Sequence, residues 1–360
     1  MRYIVFLASA LLCASSYGAS RVPDLLKHAP EGFFKTEEAV RVGHQVVAFQ
    51  RVTGGWPKNI NMSAPMTQAQ LDSVRAQKCR RDDSTTDNGA TNRQLNYLAR
   101  LYQATGDTVW LEPFRRGVGY LLSGQYANGG WPQFWPENHG YQIHITYNDH
   151  AMVNTMNLLR DISASVAPFT DMIDKETALR IDSAFAKGVE CILATQIRDK
   201  EGRLTVWCQQ HDRESFLPAP ARSYELPSYC SSESAGIVAL LMSLPAPDER
   251  VRRAVHGAMR WFDEHKLTGV RIERFEDDGI MDTRLVKDAS ETQPLWARFY
   301  DLENTEPYVC DRDGKPKRSL AEIGYERRNG YGWYNRAPLD LYPVYLKWCA
   351  ENDPDHKPFE

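Results

Sequence analysis

Gln50-Arg51-Val52-Thr53-Gly54-Gly55-Trp56-Pro57 returns as Gln125-Tyr126-Ala127-Asn128-Gly129-Gly130-Trp131-Pro132, 75 residues further along the chain. Each copy closes a run of helical periodicity, so the glycine pair reads as a helix stop and the Trp-Pro as an ordered loop. A worn third copy starts at Gln196 and carries Gly202 and Trp207. A repeat of two helices and a fixed loop predicts αα-hairpins arranged in a ring. Packing is the first reading of each tryptophan and ligand contact the second, because Trp is highly buried on average.

The sequence around these copies supports helices. Leu95, Leu98, Leu101 and Tyr102 form one apolar stripe, Met152, Val153, Met156 and Leu159 a second, and Val251, Val255, Met259 and Phe262 a third. Further helices are expected at about 37–50, 109–126, 177–196 and 233–243. Alternation is scarce, and Leu267 to Ile272 is the best short strand. From about Arg271 to Pro338 the periodicity fades into Asp, Gly, Arg and aromatic residues, a segment too aromatic for disorder. The expected architecture is mainly α, with long irregular loops and little β-structure. One catalytic domain spans 20–360, its helical part at about 36–266 and its loop-rich part at about 267–360, which forms the other wall of a groove.

The 360 residues carry 43 Lys+Arg against 47 Asp+Glu, a net charge of −4, and are 42% hydrophobic. That balance suits a globular protein with a large core and argues against a dedicated nucleic-acid binder. No apolar run reaches the ~18 residues of a membrane span. Arg2, the apolar stretch Tyr3 to Ala14 and the small residues around Gly18 and Ala19 read as a signal peptide over residues 1–19, so a secreted or periplasmic location is expected. Six cysteines follow it, Cys79, Cys191, Cys208, Cys230, Cys310 and Cys349. An exported chain permits disulfides, while a body of this size does not need them.

Asp87-Asn88 and Asn148-Asp149 each put a carboxylate and an amide before a helical stripe. Oxygen-only pairs suit a hard cation such as Ca²⁺, and the same residues are favoured helix caps; both readings stand. His139, His144 and His150 match no zinc spacing. Arg222, in a proline-bounded segment, and Arg298, Arg312, Arg327 and Arg328 lie among aromatics or loop residues. Arginine forks suit carboxylates or phosphates, as a polyanionic ligand would need, yet each also has an acid within a few residues with which it could pair.

Several ordered motifs together carry a resemblance: Thr53-Gly-Gly-Trp56-Pro57-Lys58-Asn59, Thr85-Thr86-Asp87-Asn88-Gly89-Ala90-Thr91, Gly129-Gly130-Trp131-Pro132-Gln133-Phe134, Ile145-Thr146-Tyr147-Asn148-Asp149, Arg222-Ser-Tyr-Glu225 and Trp296-Ala297-Arg298-Phe299-Tyr300. Over roughly Lys35 to Trp348 the chain resembles the family-10 polysaccharide lyases, which are pectate lyases. The resemblance implies an (α/α) toroid-like helical barrel. It implies cleavage of polygalacturonate, or of oligogalacturonides, by β-elimination with Ca²⁺. Asp87 and Asp149 match the metal-binding aspartates; Asp87 is expected to be catalytic as well, and Asn88 to bind substrate. Arg222 matches the arginine that acts as Brønsted base. Arg298, Arg312 and Lys58 match residues that clamp the uronates, and Arg327 is added by its context.

An arginine base demands neighbouring cations that disfavour its charged form, and a rate that rises into alkaline pH. Two rivals remain: a uronate-directed glycoside hydrolase using Asp87 and Asp149 as its carboxylate pair, and a non-catalytic oligogalacturonate-binding protein. A monomer is the expected state, with no nucleic-acid partner and no membrane span.

Overall fold

Four outer helices, Glu37–Phe49, Leu111–Ser123, Lys175–Thr195 and Glu249–Glu264, each run into a loop that carries a buried tryptophan: Trp56, Trp131, Trp207 and Trp296. After each loop the chain enters an inner helix: Asn92–Thr105, Ala151–Ser163, Ser231–Met242 and Leu341–Asn352. Successive inner helices pack on one another, and so do the last three outer ones. The result, in a computed structural model describing residues 21–359, is a helical toroid. The expected signal peptide, residues 1–19, lies outside the described residues. The last inner helix lies beyond residue 267, within what the sequence reads as the loop-rich portion, so the chain leaves the ring and returns to it.

Amphipathic spacing explains the outer layer. The Glu249–Glu264 helix buries Val251, Ala254, Val255, Ala258, Met259 and Phe262 on one stripe. The inner Ser231–Met242 helix is apolar nearly all round, with Ile237, Val238, Leu240 and Leu241 buried, as a helix enclosed on every side must be.

The tryptophans are packing residues with a second job. The four indole N–H groups donate to Val46 O (2.7 Å), Leu121 O (2.8 Å), Ile192 O (2.7 Å) and Phe262 O (2.9 Å). Each acceptor lies in the last turn of the preceding outer helix, where carbonyls lack the regular amide donor of a following turn. The glutamine that opens each of the first three copies, the worn one included, spans two units: Gln50 Nε2 donates to Gly54 O and Pro113 O, Gln125 Nε2 to Gly129 O and Ala184 O, and Gln196 Nε2 to Thr205 O and Ala254 O. Gly54 and Gly129 adopt φ of +93° and +91°, and a Cβ on Gly129 would lie 2.0 Å from Lys187 O. The loop therefore lies flat on the next outer helix.

Outside the ring, Val270–Asp277 and Ile280–Lys287 form a full antiparallel hairpin, longer than the short strand expected at 267–272. A four-stranded antiparallel sheet orders Tyr229–Cys230, Phe299–Tyr300, Pro307–Cys310 and Pro316–Lys317. Tyr224, Cys230, Phe299, Tyr308 and Trp333 build a small second core around it. All six described cysteines are free, and only Cys79 is exposed. Among the described residues no helix is long and apolar enough to cross a membrane.

Gly129→Ala forces a side chain into the left-handed region and against the Lys187 carbonyl, and should cost about 2–4 kcal/mol. Gly119→Ala, in the middle of an outer helix with open space around it, should instead gain up to about 1 kcal/mol. Urea melts of both variants check the contrast; similar midpoints for the two would refute the docking role of Gly129.

Candidate active site

The tryptophan loops position the polar turns. Trp56 O accepts from Thr85 N (3.2 Å), Trp131 O from Thr146 N (3.0 Å) and Trp207 O from Cys230 N (2.8 Å). Two or three residues beyond each contact stand Asp87-Asn88, Asn148-Asp149 and Glu233. The residue two places after each of the last three tryptophans then pins the turn of the preceding unit. Gln133 O accepts from Thr85 Oγ1 (2.5 Å), Gln209 O from Tyr147 N and Asn148 N (2.9 Å each), and Arg298 O from Ser231 N (3.0 Å).

Neither acidic turn is a helix cap. The inner helices that follow begin at Asn92 and Ala151 with no side-chain cap bond. Asn88 and Asp149 both sit at φ +51°, Thr91 at +60° and His150 at +57°. Such conformations cost of order 1 kcal/mol or more per residue and point to function rather than to stability. Thr91 holds the turn closed, its hydroxyl donating to Thr85 O (2.8 Å) and accepting from Trp56 N (3.1 Å).

Asp87 is buried. Its Oδ2 accepts from Lys58 Nζ and from Gln133 Nε2 (3.0 Å), and its Oδ1 from Asn88 N (3.0 Å). Asp149 is partly exposed and accepts no hydrogen bond from the described residues; its nearest cation is Arg298, at 3.9 Å. Partial burial and the negative charge of Asp87 push the Asp149 carboxyl above the ordinary aspartate range. A carboxylate short of positive charge, beside oxygen-only turns, is a donor set that fits a hard divalent cation.

Opposite these turns stand the arginines. Arg298 is nearly buried; its Nη2 donates to Asn148 Oδ1 (3.1 Å) and to Glu233, a fully buried carboxylate. Arg222 is gripped by Glu225 through Nε (2.7 Å) and Nη2. Arg327 pairs with Glu326, which also accepts from Arg312 at 3.1 Å. The Tyr331 ring gathers three of them: Arg298 lies 4.8 Å, Arg327 5.7 Å and Arg222 5.8 Å from its centroid. The Tyr331 hydroxyl donates to Glu225 Oε1 at 2.8 Å. Tyr224 is sandwiched by Arg327 (4.4 Å) and Arg222 (4.9 Å). Arg312 is exposed, on a loop whose Gly314 approaches Ser223 O.

The expectation that cations depress Arg222 is not met among the protein's own groups. The Glu225 carboxylate dominates and raises the Arg222 pKa, stabilising the charged form. His139, His144 and His150 form no metal cluster: among the described residues the close group of metal-ligand types is His256, Asp353 and His356, outside this site. Glu233 escapes a reading of the sequence; Glu225 pairs with Arg222 as an acid close by in sequence can, while Gln133 and Tyr331 carry no role there. The signal for Gln133 was available, since it occupies in the second loop the place that Lys58 occupies in the first.

A family model described as pectic acid lyase matches residues 50–341. Two solved structures share the fold at a TM-score of 0.75. A family 10 polysaccharide lyase from Cellvibrio cellulosa is 30% identical, covering 91% of this chain and 94% of its own. An aspartate-to-alanine mutant of a family 10 polysaccharide lyase from the same organism, in complex with trigalacturonic acid, is 29% identical, covering 91% and 95%. No curated protein matches the chain. The family match and the two solved neighbours define the chain as a polysaccharide lyase. The chain belongs to the pectic acid lyase family, polysaccharide lyase family 10.

Burial is the largest influence on the Glu233 carboxyl and pushes it up, but Arg298, Cys230 and His150 together outweigh burial, and the group ends below the ordinary glutamate range. A lowered folded pKa stabilises the protein above the unfolded value of about 4.3, and that stability is lost as pH falls through the folded value. Glu233→Ala should cost about 3–5 kcal/mol by leaving Arg298 buried and unpaired. Glu233→Gln should flatten the fall in melting temperature below about pH 4. Thermal melts from pH 7 down to 3 test both; superimposable pH profiles for parent and Gln variant would remove Glu233 from the account.

Proposed function

We propose that this lyase is a pectate lyase that cleaves polygalacturonate by Ca²⁺-assisted β-elimination and acts outside the cytoplasm. The observation that carries the reading is the pair of strained carboxylate turns, Asp87-Asn88 and Asn148-Asp149, facing arginines gathered on Tyr331. Trigalacturonic acid bound by a family neighbour supports the substrate class. The leader-like residues 1–19 support export.

The reaction removes the C5 proton of a galacturonate, α to its carboxylate. The electron pair forms the C4–C5 double bond, the C4–O bond breaks, and the departing oxygen takes a proton from solvent. Asp87 and Asp149 would hold Ca²⁺, whose charge there neutralises the substrate carboxylate against the growing negative charge. Arg222 accepts the proton at Nη1, the guanidinium nitrogen without a hydrogen bond to the described residues. Arg298, Arg312 and Arg327 bind uronate carboxylates through their forks, and Lys58 and Asn88 orient the sugar beside Asp87. Because Glu225 favours the charged form of Arg222, the competent neutral fraction grows with pH, and the rate climbs on the alkaline side.

Turnover is followed through the ultraviolet absorbance of the unsaturated product. Excess chelator should abolish it, and Asp149→Ala should do the same while preserving helical circular dichroism. Full activity in chelator would overturn the metal role. Arg222→Ala should lose ~10²–10⁴ in kcat with substrate binding little changed. Glu225→Gln removes the charge that holds Arg222 protonated, so the alkaline limb of the pH–rate profile should move to lower pH. A limb that stays in place in Glu225→Gln assigns the base to another residue.

A further inference from the structure

Away from the site, one face of the outer helix Glu249–Glu264 borders a cavity of 460 Å³ that no step of the mechanism uses. The loop around Arg198 to Leu204 and the C-terminal residues from His356 to Phe359 complete its walls. Arg198, Leu204 and Arg253 also line a neighbouring cavity of 270 Å³, so the two form one continuous groove. Its scale is that of a pocket for a small or oligomeric ligand.

The lining is cationic in a chain whose net charge is −4. Arg198, Arg253, Arg260 and Lys357 face the larger cavity, and its two carboxylates are already engaged. Asp263 pairs with Lys266 at 2.5 Å, and Glu264 lies 3.7 Å from Arg260. Arg253 makes no ion pair or hydrogen bond with the described residues although it lines both cavities. Arg260 Nε is buried and makes no hydrogen bond, with only the Glu264 carboxylate near it. These are guanidinium donors with unspent capacity, in a fixed groove, beside the 42%-exposed ring of Phe359.

His256, Asp353 and His356 on the same wall come close enough to suggest a metal. The two imidazole rings, however, stack 3.6 Å apart and within 18° of parallel. Their in-plane lone pairs run side by side and do not converge on one ion. Tyr345 and Asp353 already take both His256 nitrogens, at 2.8 and 3.0 Å. The chemistry of the wall is that of anion capture.

We propose that this groove is a second binding site for acidic oligosaccharide, in which Arg253, Arg198 and Lys357 take uronate carboxylates and Phe359 takes a sugar face. The proposal rests on the pectate reading for the identity of its ligand. A uronate chain repeats one carboxylate per ring, which suits planar forks spaced along a groove. Such a site would hold the polymer to the enzyme between cuts, by raising its effective concentration at the active site.

Calorimetric titration with trigalacturonate tests it. An Asp87→Ala/Asp149→Ala protein, disabled at the acidic turns, should retain a binding event. Adding Arg253→Glu should weaken that event at least roughly tenfold, as loss of a charge-assisted contact does, and Arg253→Ala should act in the same direction. Arg253→Glu alone should leave the elimination rate on trigalacturonate unchanged and raise the KM for long polygalacturonate. Absence of binding by the disabled protein, or an isotherm unmoved by either Arg253 variant, overturns the second site. A parent protein that shows this binding event and no elimination activity sinks the pectate lyase reading and leaves the second site standing.

Discussion

The hydrogen bond from a tryptophan indole to a carbonyl in the last turn of an outer helix organises the molecule. Helix geometry denies last-turn carbonyls their regular amide donor from the following turn, and Trp56, Trp131, Trp207 and Trp296 bring indole donors to them from the loops that follow. A loop tied this way has one course. Its main chain then offers a carbonyl to the next polar turn, and the residue two places on reaches back to the unit before. The acidic and basic groups are thereby set by backbone contacts of the scaffold. Their own side-chain bonds refine positions that are already decided.

How much of this the sequence discloses follows from which forces leave a residue-level mark. The first two loops are visible because a positive φ and a close approach to a carbonyl demand glycine at Gly54 and Gly129. The third is worn, since Trp207 is approached through Gly202 with no glycine pair. The fourth is invisible: Trp296 stands between Leu295 and Ala297, and everything that places it is a backbone or indole hydrogen bond. The same logic hides Glu233. It lies in a helix apolar on nearly every side and its partner, Arg298, is 65 residues away. Asp87 and Asp149 stand out because Asp-Asn pairs before a helix are a local pattern, although local pattern alone could not separate a cap from a ligand. The left-handed backbone at Asn88 and Asp149 and the missing cap bonds set the cap reading aside.

The basic wall shows a consistent electrostatic economy. Arg222, Arg298 and Arg327 converge on one tyrosine ring, which would be repulsive for three unscreened cations. Each is held by its own carboxylate, Glu225, Glu233 and Glu326. The charge on Arg327 and Arg312 in turn draws the exposed Glu326 carboxyl down to about 2. These pairs differ in burial. The Arg298–Glu233 pair is locked inside the protein, while Arg222 and Arg312 stay open to solvent. Groups of the first kind hold a shape; groups of the second kind can exchange one carboxylate for another at small cost.

The position two residues after each tryptophan has a consequence for redesign. Lys58, Gln133, Gln209 and Arg298 occupy it in the four units, and they are four different answers to the same address. Lys58 and Gln133 both reach Asp87, Arg298 reaches Glu233 and Asn148, and Gln209 is buried with its amide unspent. At Gln133, Gln209 and Arg298 the backbone is fixed by contacts that ignore the side chain. The toroid therefore behaves as a turntable with interchangeable stations, and new specificity can be written at one station without rebuilding the frame that carries it.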